Sequence, residues 1–450
     1  MKFCLFPCLC TLCLLGLVLV LIPGVKADEI MVQEQAITLA STPPAWAPDE
    51  IIVKFVPEAS ELECYEINER QGGEEFESNP VLGFHRVRVP AGKTPAELMA
   101  AYLAEPMVAY VELNYYARAI FVPNDPYYHY QWNLDNPVNH GIGMQTAWDV
   151  TQGDPRVIVA VIDTGVAYET FGSFVQASDL AATAFVPGYN FVNNSTHAND
   201  DNGHGTHVTG TIAQSTHNAL GVAGVAPLCS IMPIKVLDST GSGTYTAVAS
   251  GIQFAADNGA KVINMSLGGT AASITLQNAL SYAYSKGVTI VCAAGNNFLQ
   301  GNPVIYPAAY DDWCIAVGAI RYDQTHAPYS STGTYVDLAA PHVSGAAALV
   351  ISRGAQDPDR VRQALQNTAH DLGPAGYDPT YGWGLLDAAA AVSYFTPGDF
   401  NADHAINAAD VAVLAEEWLA TGPAPLFADV NNDGIINLLD FQALALSWGI

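Results

Sequence analysis

The stretch VIVAVID covers residues 157–163 and decides the fold class. Two stretches of the same kind follow, KVINMSL at 261–267 and VTIVCAAG at 288–295. Residues 246–259, TAVASGIQFAADNG, have the apolar spacing of a helix. Strands that are apolar at nearly every position and alternate with helices are typical of a parallel sheet covered on both faces. The sequence therefore predicts an α/β domain whose functional groups collect at the carboxyl ends of its strands.

A smaller α/β unit is predicted before that domain. The stretches IIVKF (51–55) and HRVRV (85–89) alternate like half-buried strands, and VAYVELNYYARAI (108–120) is interpreted as a third strand. Residues 94–106 are interpreted as a helix, because Thr94 is a favourable N-cap residue and the proline after it suits a first helical position.

The charge and composition of the chain argue against several classes of function. Its 450 residues include 16 Lys and Arg against 44 Asp and Glu, which gives a formal net charge of −28. A nucleic-acid binder needs basic patches to contact phosphates, so this composition argues against one and against docking on an anionic membrane surface. Half of the residues are apolar, which argues against a disordered protein.

The N-terminus is predicted to be a secretory signal peptide over residues 1–27. Residues 3–22 form an almost unbroken apolar run after Lys2, and Val25-Lys26-Ala27 has the small-x-small pattern of a cleavage site. We therefore expect a secreted or cell-surface protein without a membrane segment after cleavage. An uncleaved anchor is the alternative, because the run is long enough to span a bilayer.

Four cysteines lie outside this segment, and their spacing indicates neither a zinc site nor a disulfide framework. They are Cys64, Cys229, Cys292 and Cys314. We expect most of them to be buried thiols, since free cysteine behaves as a small hydrophobic residue. The sequence leaves open whether two of them pair.

An internal repeat occupies residues 397–450. One copy starts at Gly398 and the second at Ala428. Each copy places Asp or Asn at positions 1, 3, 5, 9 and 12 of a loop, and with the main-chain carbonyl of position 7 these are the ligands of an EF-hand calcium site. Apolar residues with helical spacing follow each loop, so we expect a small all-α calcium-binding domain. The predicted ligands are Asp399, Asn401, Asp403, Ala405, Asn407 and Asp410, then Asp429, Asn431, Asp433, Ile435, Asn437 and Asp440.

Three segments of the central domain carry the groups of an acyl-transfer site. Asp163 ends a predicted buried strand, His204 lies in the Gly-flanked segment DNGHGTHV (201–208), and Asn296 follows another buried strand. Asp163 would fix the tautomer of His204, which would act as general base, and the Asn296 amide would donate to the oxyanion. The second histidine of that segment, His207, is interpreted as a core or supporting residue.

Together these segments resemble the subtilase family of serine endopeptidases, particularly its thermitase-like and fervidolysin-like members. The resemblance implies a subtilisin-like parallel sheet, an inhibitory propeptide that makes the protein a zymogen, and hydrolysis of polypeptides through an Asp-His-Ser triad. It also implies a structural calcium site at Asp125, Asp179 and Asn218. The substrate backbone would add as a strand along Ser266, Leu267 and Gly268 and along Gly241, Ser242 and Gly243.

The repeat at 397–450 resembles a type I dockerin, which implies Ca²⁺ as a cofactor and a cohesin-like partner. Two departures from the dockerin pattern weaken parts of that resemblance. His404 stands where the loop has Gly, and Ala408-Ala409 and Leu438-Leu439 stand where partner-reading polar residues are usual. The organisation predicted for the whole chain is signal peptide 1–27, propeptide 28–121, peptidase domain 122–396 and dockerin-like domain 397–450.

The nucleophile of the triad is missing. Subtilases carry Gly-Thr-Ser-Met-Ala before Pro-His-Val, whereas this chain reads YVDLAAPHVSG over residues 335–345. The serine is expected four residues before Pro341, at Asp337, and an Asp there could pair with His204 but has no proton for it to accept. We therefore expect this chain to be inactive, either through genuine loss or through an error in the sequence. The alternatives are a non-catalytic peptide-binding protein and a calcium-dependent interaction or scaffold protein.

Overall fold

The computed structural model of the chain describes most of the sequence. The described residues are 46–116, 121–134, 141–339, 342–355, 357–395, Asp399, 408–416 and Ile436. They belong to two compact units, one ending at Arg118 and the other beginning at Ala119. No helix among these residues is long and apolar enough to cross a membrane. The predicted signal peptide lies outside the described residues, as does most of the calcium repeat.

The first unit is a four-stranded antiparallel sheet with two helices. Its strand order is β2-β3-β1-β4. Its core includes Ile51, Val53, Val87, Leu98 and Tyr102. In chain order, the elements are β1 (Trp46–Phe55), α1 (Glu61–Gln71), β2 (Glu74–Asn79), β3 (Phe84–Arg88), α2 (Pro95–Leu103) and β4 (Val108–Tyr115).

Both helices of this unit begin with a capping box. Ser60 and Glu63 satisfy each other's main-chain N–H groups at the start of α1, and Thr94 and Glu97 do so at α2. The predicted cap at Thr94 is confirmed, and α2 ends at Leu103 rather than at residue 106. Helix α1 and strand β2 were not predicted, because their sequences are strongly charged and show no apolar period.

The second unit contains the predicted parallel sheet. The strand order is β12-β11-β10-β9-β5-β8-β6, with β7 also paired to β8, and every pair is parallel. The strands are β5 (Ile158–Asp163), β6 (Ala184–Phe185), β7 (Tyr189–Asn190), β8 (Ser230–Lys235), β9 (Val262–Met265), β10 (Thr289–Ala293), β11 (Cys314–Gly318) and β12 (Leu338–Ala339). The helices are α3 (Met144–Val150), α4 (His204–Ala213), α5 (Tyr245–Asp257), α6 (Ile274–Ser285), α7 (Val343–Ser352), α8 (Pro358–Asn367), α9 (Ala388–Val392) and α10 (Ala408–Glu416).

Strand β5 shows why its sequence is apolar at every position. Val159 and Val161 pack into the core that contains α4, α7 and α8, while Ala160 and Ile162 pack into the core that contains α5 and α6. Successive side chains of a strand point to opposite faces, so a sheet with helices on both faces needs apolar residues throughout. The predicted fold class is confirmed.

The cysteines of this fold are free thiols. Cys229, Cys292 and Cys314 are buried and Cys64 is partly buried, as expected for small hydrophobic residues. Burial raises the pKa of the Cys229 thiol to about 11, which keeps it protonated and unreactive.

His342, at the start of α7, is a buried neutral side chain. It is only 4% exposed, its Nε2 contacts the Asn133 side-chain amide nitrogen, and its Nδ1 has no partner among the described residues. An amide N–H donates, so Nε2 must accept and cannot carry a proton in this arrangement. Burial accordingly lowers the pKa of His342 from 6.5 to about 4.

This pKa predicts acid destabilisation. Between pH 6.5 and 4 the unfolded chain binds a proton at His342 that the folded chain does not, so the free energy of unfolding falls as the pH falls. The loss amounts to about 3 kcal/mol below pH 4. We expect His342→Gln, which keeps an acceptor for Asn133, to flatten this slope in urea unfolding measured at several pH values.

The matched control is His207→Gln, which alters an exposed histidine. An unchanged pH slope in His342→Gln would contradict the assignment of acid sensitivity to this residue.

Candidate active site

Three of the predicted site residues, one each for catalysis, substrate binding and the oxyanion, lie at neighbouring strand ends. Asp163 is the last residue of β5, Ser266 directly follows β9, and Asn296 lies three residues after β10. In the sheet β9 pairs with β5 on one side and with β10 on the other. Because parallel strands end at the same edge, these groups share one edge of the sheet, as the sequence predicted.

Helix α4 presents His204 to Asp163. The imidazole Nδ1 lies 2.7 Å from Oδ1 of Asp163, whose side chain is fully buried, while the His204 side chain is 47% exposed. A carboxylate only accepts, so Nδ1 carries the proton and Nε2 keeps its lone pair. Oδ1 of Asp163 also accepts the N–H of Thr164 at 2.7 Å, which helps to hold the carboxylate in place.

The start of α4 is tightly packed on the end of β5. A Cβ added at Gly205 would lie 2.1 Å from the carbonyl oxygen of Gly165 and 3.1 Å from Cβ of Asp163. The N–H of Gly205 donates to Oγ1 of Thr164 at 2.9 Å. Glycine next to the histidine is therefore required for His204 to reach Asp163.

Asp200 caps this helix and supports the site. Its Oδ1 accepts the N–H groups of Asn202 and Gly203, and its Oδ2 accepts the N–H of Thr206 at 3.0 Å. Its Oδ1 also accepts the hydroxyl of Thr164 at 2.9 Å, which ties α4 to β5. Burial opposes the charge on Asp200, but these hydrogen bonds hold the pKa of its carboxyl below the usual range.

The carboxylate of Asp163 determines the charge state of His204. Its hydrogen bond is the largest influence and raises the pKa of the imidazole above 6.5, although burial lowers it. A raised histidine pKa stabilises the fold fully below pH 6.5, and that contribution is lost as the pH rises through the folded-state value.

Lys235 is a supporting residue that the sequence reasoning missed. It pairs with Asp163 in the register of β5 and β8, and it is 3% exposed. Its Nζ donates to the carbonyl oxygens of Thr164 (2.6 Å) and Leu237 (2.9 Å) and to Oδ1 of Asp201 at 2.6 Å. A lysine in the apolar run SIMPIKVL was the available signal, since a lysine is rarely buried unless it is paired.

Asn296 is exposed beyond the end of β10, and Gly295 before it has φ +107°. This left-handed conformation is accessible to glycine and strained for other residues, so Gly295 allows the turn that carries Asn296. Within the described part of the chain no hydrogen bond engages the Asn296 amide. It is therefore free to donate to a ligand at the sheet edge.

The two predicted peptide-binding segments are accessible. Gly241, Ser242 and Gly243 are exposed, as is Gly268 after β9. Gly243 packs against the carbonyl oxygen of Val236, which a Cβ would approach to 2.2 Å. Backbone that lies this close to its neighbours needs glycine, whether or not a peptide adds to it.

Asp337 does not lie beside His204, so the expectation of an ion pair between them is wrong. Asp337 is 5% exposed; its Oδ2 accepts the N–H of Ala316 and its Oδ1 accepts from Gln366 at 2.6 Å, with Arg362 at 3.7 Å. Burial raises its pKa to about 6, against the opposing charge of Arg362. The physical reason is that β12 pairs with β11 immediately after this residue and directs Asp337 towards α8.

The serine hydroxyl groups near residues 335–345, where the nucleophile segment is missing, are already engaged. Ser330 accepts the N–H of Ala319, Ser331 accepts the N–H of Asn297, and both serines are buried. Ser344 on α7 is 1% exposed and donates to Oδ1 of Asn264 at 2.7 Å. Thr334 is exposed. Among the described residues, no side chain is hydrogen-bonded to Nε2 of His204.

His207 differs from its interpretation as a core or supporting residue. It is exposed one helical turn beyond the catalytic candidate His204. Residues three apart on a helix lie on roughly the same side, and here that side faces solvent.

The predicted structural calcium ligands come together. Asp125 and Asp179 are buried, and Asn218 contacts both, its N–H donating to Asp125 at 3.4 Å and its Nδ2 to Asp179 at 2.8 Å. No Lys or Arg of the described part pairs with either carboxylate. Two buried carboxylates without a basic partner fit the oxygen ligands that Ca²⁺ takes, because burying uncompensated charge is otherwise costly.

Only part of the C-terminal repeat can be placed. Helix α10 follows the first predicted loop; Asp410 and Leu414 are buried in it and Ala415 is exposed. Asp399 is also buried, and the other predicted ligands of both loops lie outside the described residues. Among the described residues, no group of three or more His, Cys, Asp or Glu forms a metal site.

Comparison with known proteins identifies the family. Residues 154–339 and 338–384 match the model of the Subtilase family. The chain is 36% identical over 376 residues to the thermophilic serine proteinase of Bacillus sp. (strain AK1), a match that covers 78% of this chain and 88% of that protein. The chain belongs to the subtilase family. This subtilase is also 38% identical over 301 residues to thermitase of Thermoactinomyces vulgaris, covering 61% of this chain and all (100%) of thermitase.

Solved structures and flanking matches agree with this assignment. The crystal structure of fervidolysin from Fervidobacterium pennivorans aligns with a TM-score of 0.50 at 26% identity, over 78% of this chain and 62% of that one. A protease of Pseudoalteromonas arctica aligns with a TM-score of 0.53 at 30% identity, over 61% and 99%. Residues 33–114 match the fervidolysin N-terminal prodomain, and residues 397–445 match the dockerin type I domain. The predicted subtilase, prodomain and dockerin resemblances are confirmed.

The contact between His204 and Asp163 predicts a pH titration. In the intact protein, we expect the NMR titration of the His204 ring to have its midpoint above 6.5. Asp163→Asn removes the negative charge, so the midpoint should fall. Asp312→Asn, which changes an exposed aspartate, is the control and should leave the His204 midpoint unchanged. A His204 midpoint that is the same in both proteins would contradict the hydrogen bond.

Proposed function

We propose that this subtilase is a secreted member of the family that has kept the general-base pair His204–Asp163 but cannot form the acyl-serine intermediate of peptide hydrolysis. The observation that carries the proposal is the open Nε2 of His204, with no hydroxyl bonded to it in the described part of the chain. Peptide-bond hydrolysis by a triad starts with transfer of a serine proton to that nitrogen. In subtilisin, loss of the serine lowers kcat about 2 × 10⁶-fold.

The sequence around residues 335–345, where the nucleophile segment is missing, supports this proposal. The family match consists of two segments that meet at residues 338 and 339, where the upstream strand leads directly into the helix that should follow the nucleophile. The serine and the N–H group that would assist Asn296 both belong to the stretch between them. Ser330, Ser331 and Ser344 cannot replace that serine without breaking their present hydrogen bonds.

The rest of the chain is assigned by the same reasoning. We propose a signal peptide at 1–27, an inhibitory propeptide at 28–121, a peptidase-type domain at 122–396 and a dockerin-like domain at 397–450. The prodomain and dockerin matches support a location outside the cell or at its surface.

A polypeptide would lie along Ser266–Gly268 and Gly241–Gly243. A cohesin-like protein is a further possible partner of the dockerin-like domain. A pure scaffold role has less support, because the matched relatives are named as proteinases.

Inactivity is tested on the full secreted chain. We expect a fluorophosphonate probe to leave every serine unlabelled, and we expect the secreted protein to begin near Asp28 because the propeptide is not removed. Mass spectrometry of the intact protein measures both. A labelled serine, or an N-terminus near Val122, would overturn the proposal.

The positive control restores the nucleophile. Inserting the family's Gly-Thr-Ser-Met-Ala segment between Ala339 and Ala340 places the serine four residues before the proline and should produce labelling, and the same insertion with alanine for serine should not. Sequencing the gene across codons 334–345 decides whether the natural gene carries that segment, in which case the natural protein would be an active peptidase.

We also propose that Ca²⁺ binds at Asp125, Asp179 and Asn218 and in the two loops of the dockerin-like domain. Asp125, Asp179 and Asn218 would hold one ion. Its positive charge would lie between the two buried carboxylates and so stabilise the fold. The main-chain carbonyl oxygens of Ser215, Leu220 and Val222 would complete the ligands.

Calcium should raise the thermal midpoint of the full chain, and Asp179→Asn should reduce that rise. A ligand at 100 times its Kd adds about 2.7 kcal/mol to the free energy of unfolding. Asp312→Asn, which changes an exposed aspartate, is the control, and Asp429→Asn separates the contribution of the second loop. Equal calcium responses in Asp179→Asn and the unaltered chain would refute this site.

A further inference from the structure

The open nitrogen of His204 can do chemistry of its own. We propose that Nε2 of His204 is a nucleophile that accepts acyl groups from small activated esters, which makes the chain a histidine-dependent esterase. The inference rests on the proposed absence of a serine, because in a complete triad that hydroxyl would be hydrogen-bonded to Nε2.

The geometry meets the requirements for an imidazole nucleophile. The hydrogen bond of 2.7 Å to Asp163 holds the proton on Nδ1, so the lone pair is on Nε2. The side chain is 47% exposed, so a small ester can reach it. The ring is also fixed by its position at the start of α4, where Gly205 packs against Gly165. A mobile surface histidine has neither constraint.

The reaction balances without a further reagent. The Nε2 lone pair attacks the ester carbonyl carbon, and the carbon–oxygen bond to the leaving group breaks, with its electron pair leaving on that oxygen. The product is an acyl-imidazolium, which the negative charge of Asp163 stabilises. Water then attacks the acyl carbon, the carbon–nitrogen bond electrons return to Nε2, and the proton of the water passes to solvent. Asn296 can donate its amide N–H to the carbonyl oxygen in both steps.

The chemistry selects the substrate class. An imidazole attacks a carbonyl productively only when the leaving group is more easily expelled than the imidazole itself, which is true of aryl esters and untrue of amides. Peptide bonds therefore stay intact while aryl esters are hydrolysed. Because the chain carries a net charge of −28, uncharged esters should be better substrates than anionic ones.

The rate should rise with pH as His204 loses its proton. The charged groups that face the ring are Asp163 at the end of β5 and Asp200 before α4, and both favour the protonated form. On β8, Lys235 is paired with Asp201. Helix α7, which also packs on α4, contributes His342 at its start, whose contact is with Asn133. The midpoint of the rate profile should consequently lie above 6.5.

The experiment measures p-nitrophenyl acetate hydrolysis by the full chain with four proteins. We expect His204→Ala to lower the protein-dependent rate about tenfold, less than the 10²–10⁴ of a fully positioned catalytic group. His207→Ala, which removes an exposed histidine from the same helix, should keep at least about half of the rate. Asp163→Asn should shift the rate midpoint to lower pH, in the same direction as the shift expected for the NMR titration.

Two further measurements separate the mechanism from its alternatives. Covalent attack by Nε2 predicts that D₂O does not slow the reaction, whereas His204 acting only as a general base on water predicts a clear slowing and would overturn the nucleophile. Equal rates for His204→Ala and His207→Ala would also overturn it. If a fluorophosphonate labels a serine and abolishes the esterase rate, the proposed absence of a nucleophilic serine fails instead. If no serine is labelled and the esterase rate does not depend on His204, this inference fails, while the proposed absence of a nucleophilic serine stands.

Discussion

The site depends on one constraint, which is the close packing of the start of α4 against the end of β5. Asp163 is fully buried, and a buried carboxylate needs partners for its charge. It finds them only because Gly205 lets the helix start lie against Gly165, which brings His204 to within 2.7 Å. Asp200 then caps the same helix and Lys235 supports the loop from the neighbouring strand. The geometry of one charge pair is thus held by the packing of the parallel sheet and its helix.

This arrangement shows how the pair of His204 and Asp163 would persist if the nucleophile is lost as proposed. The hydrogen bonds that hold His204, Asp163 and Asp200 all come from β5, α4 and the loops next to them. None of them comes from the stretch that should precede α7. That helix is instead held by its own apolar face and by the bond from Ser344 to Asn264. The proposed loss of the nucleophile would therefore remove a reacting atom without removing the contacts that align His204.

Much of the fold could be predicted because it follows from local chemistry. The uninterrupted apolar strands indicated a sheet covered on both faces, and Thr94 followed by Pro95 indicated the start of a helix. Charged elements were missed, as with Glu61–Gln71, because they carry no apolar period and owe their place to packing on one side only. His207 was misjudged because neighbouring histidines look alike in sequence, whereas their exposure depends on what packs against the helix.

The sequence by itself predicted the family and the parallel sheet, and it supplied the proposals of a general-base pair and of a missing serine. These follow from residue types and their order along the chain. Only the tertiary structure decided which way Asp337 points, which hydroxyls are already engaged and that Nε2 of His204 is open. Those outcomes depend on the pairing of β12 with β11 and the packing of α4 and α8, which join residues far apart in sequence and therefore have no local signature.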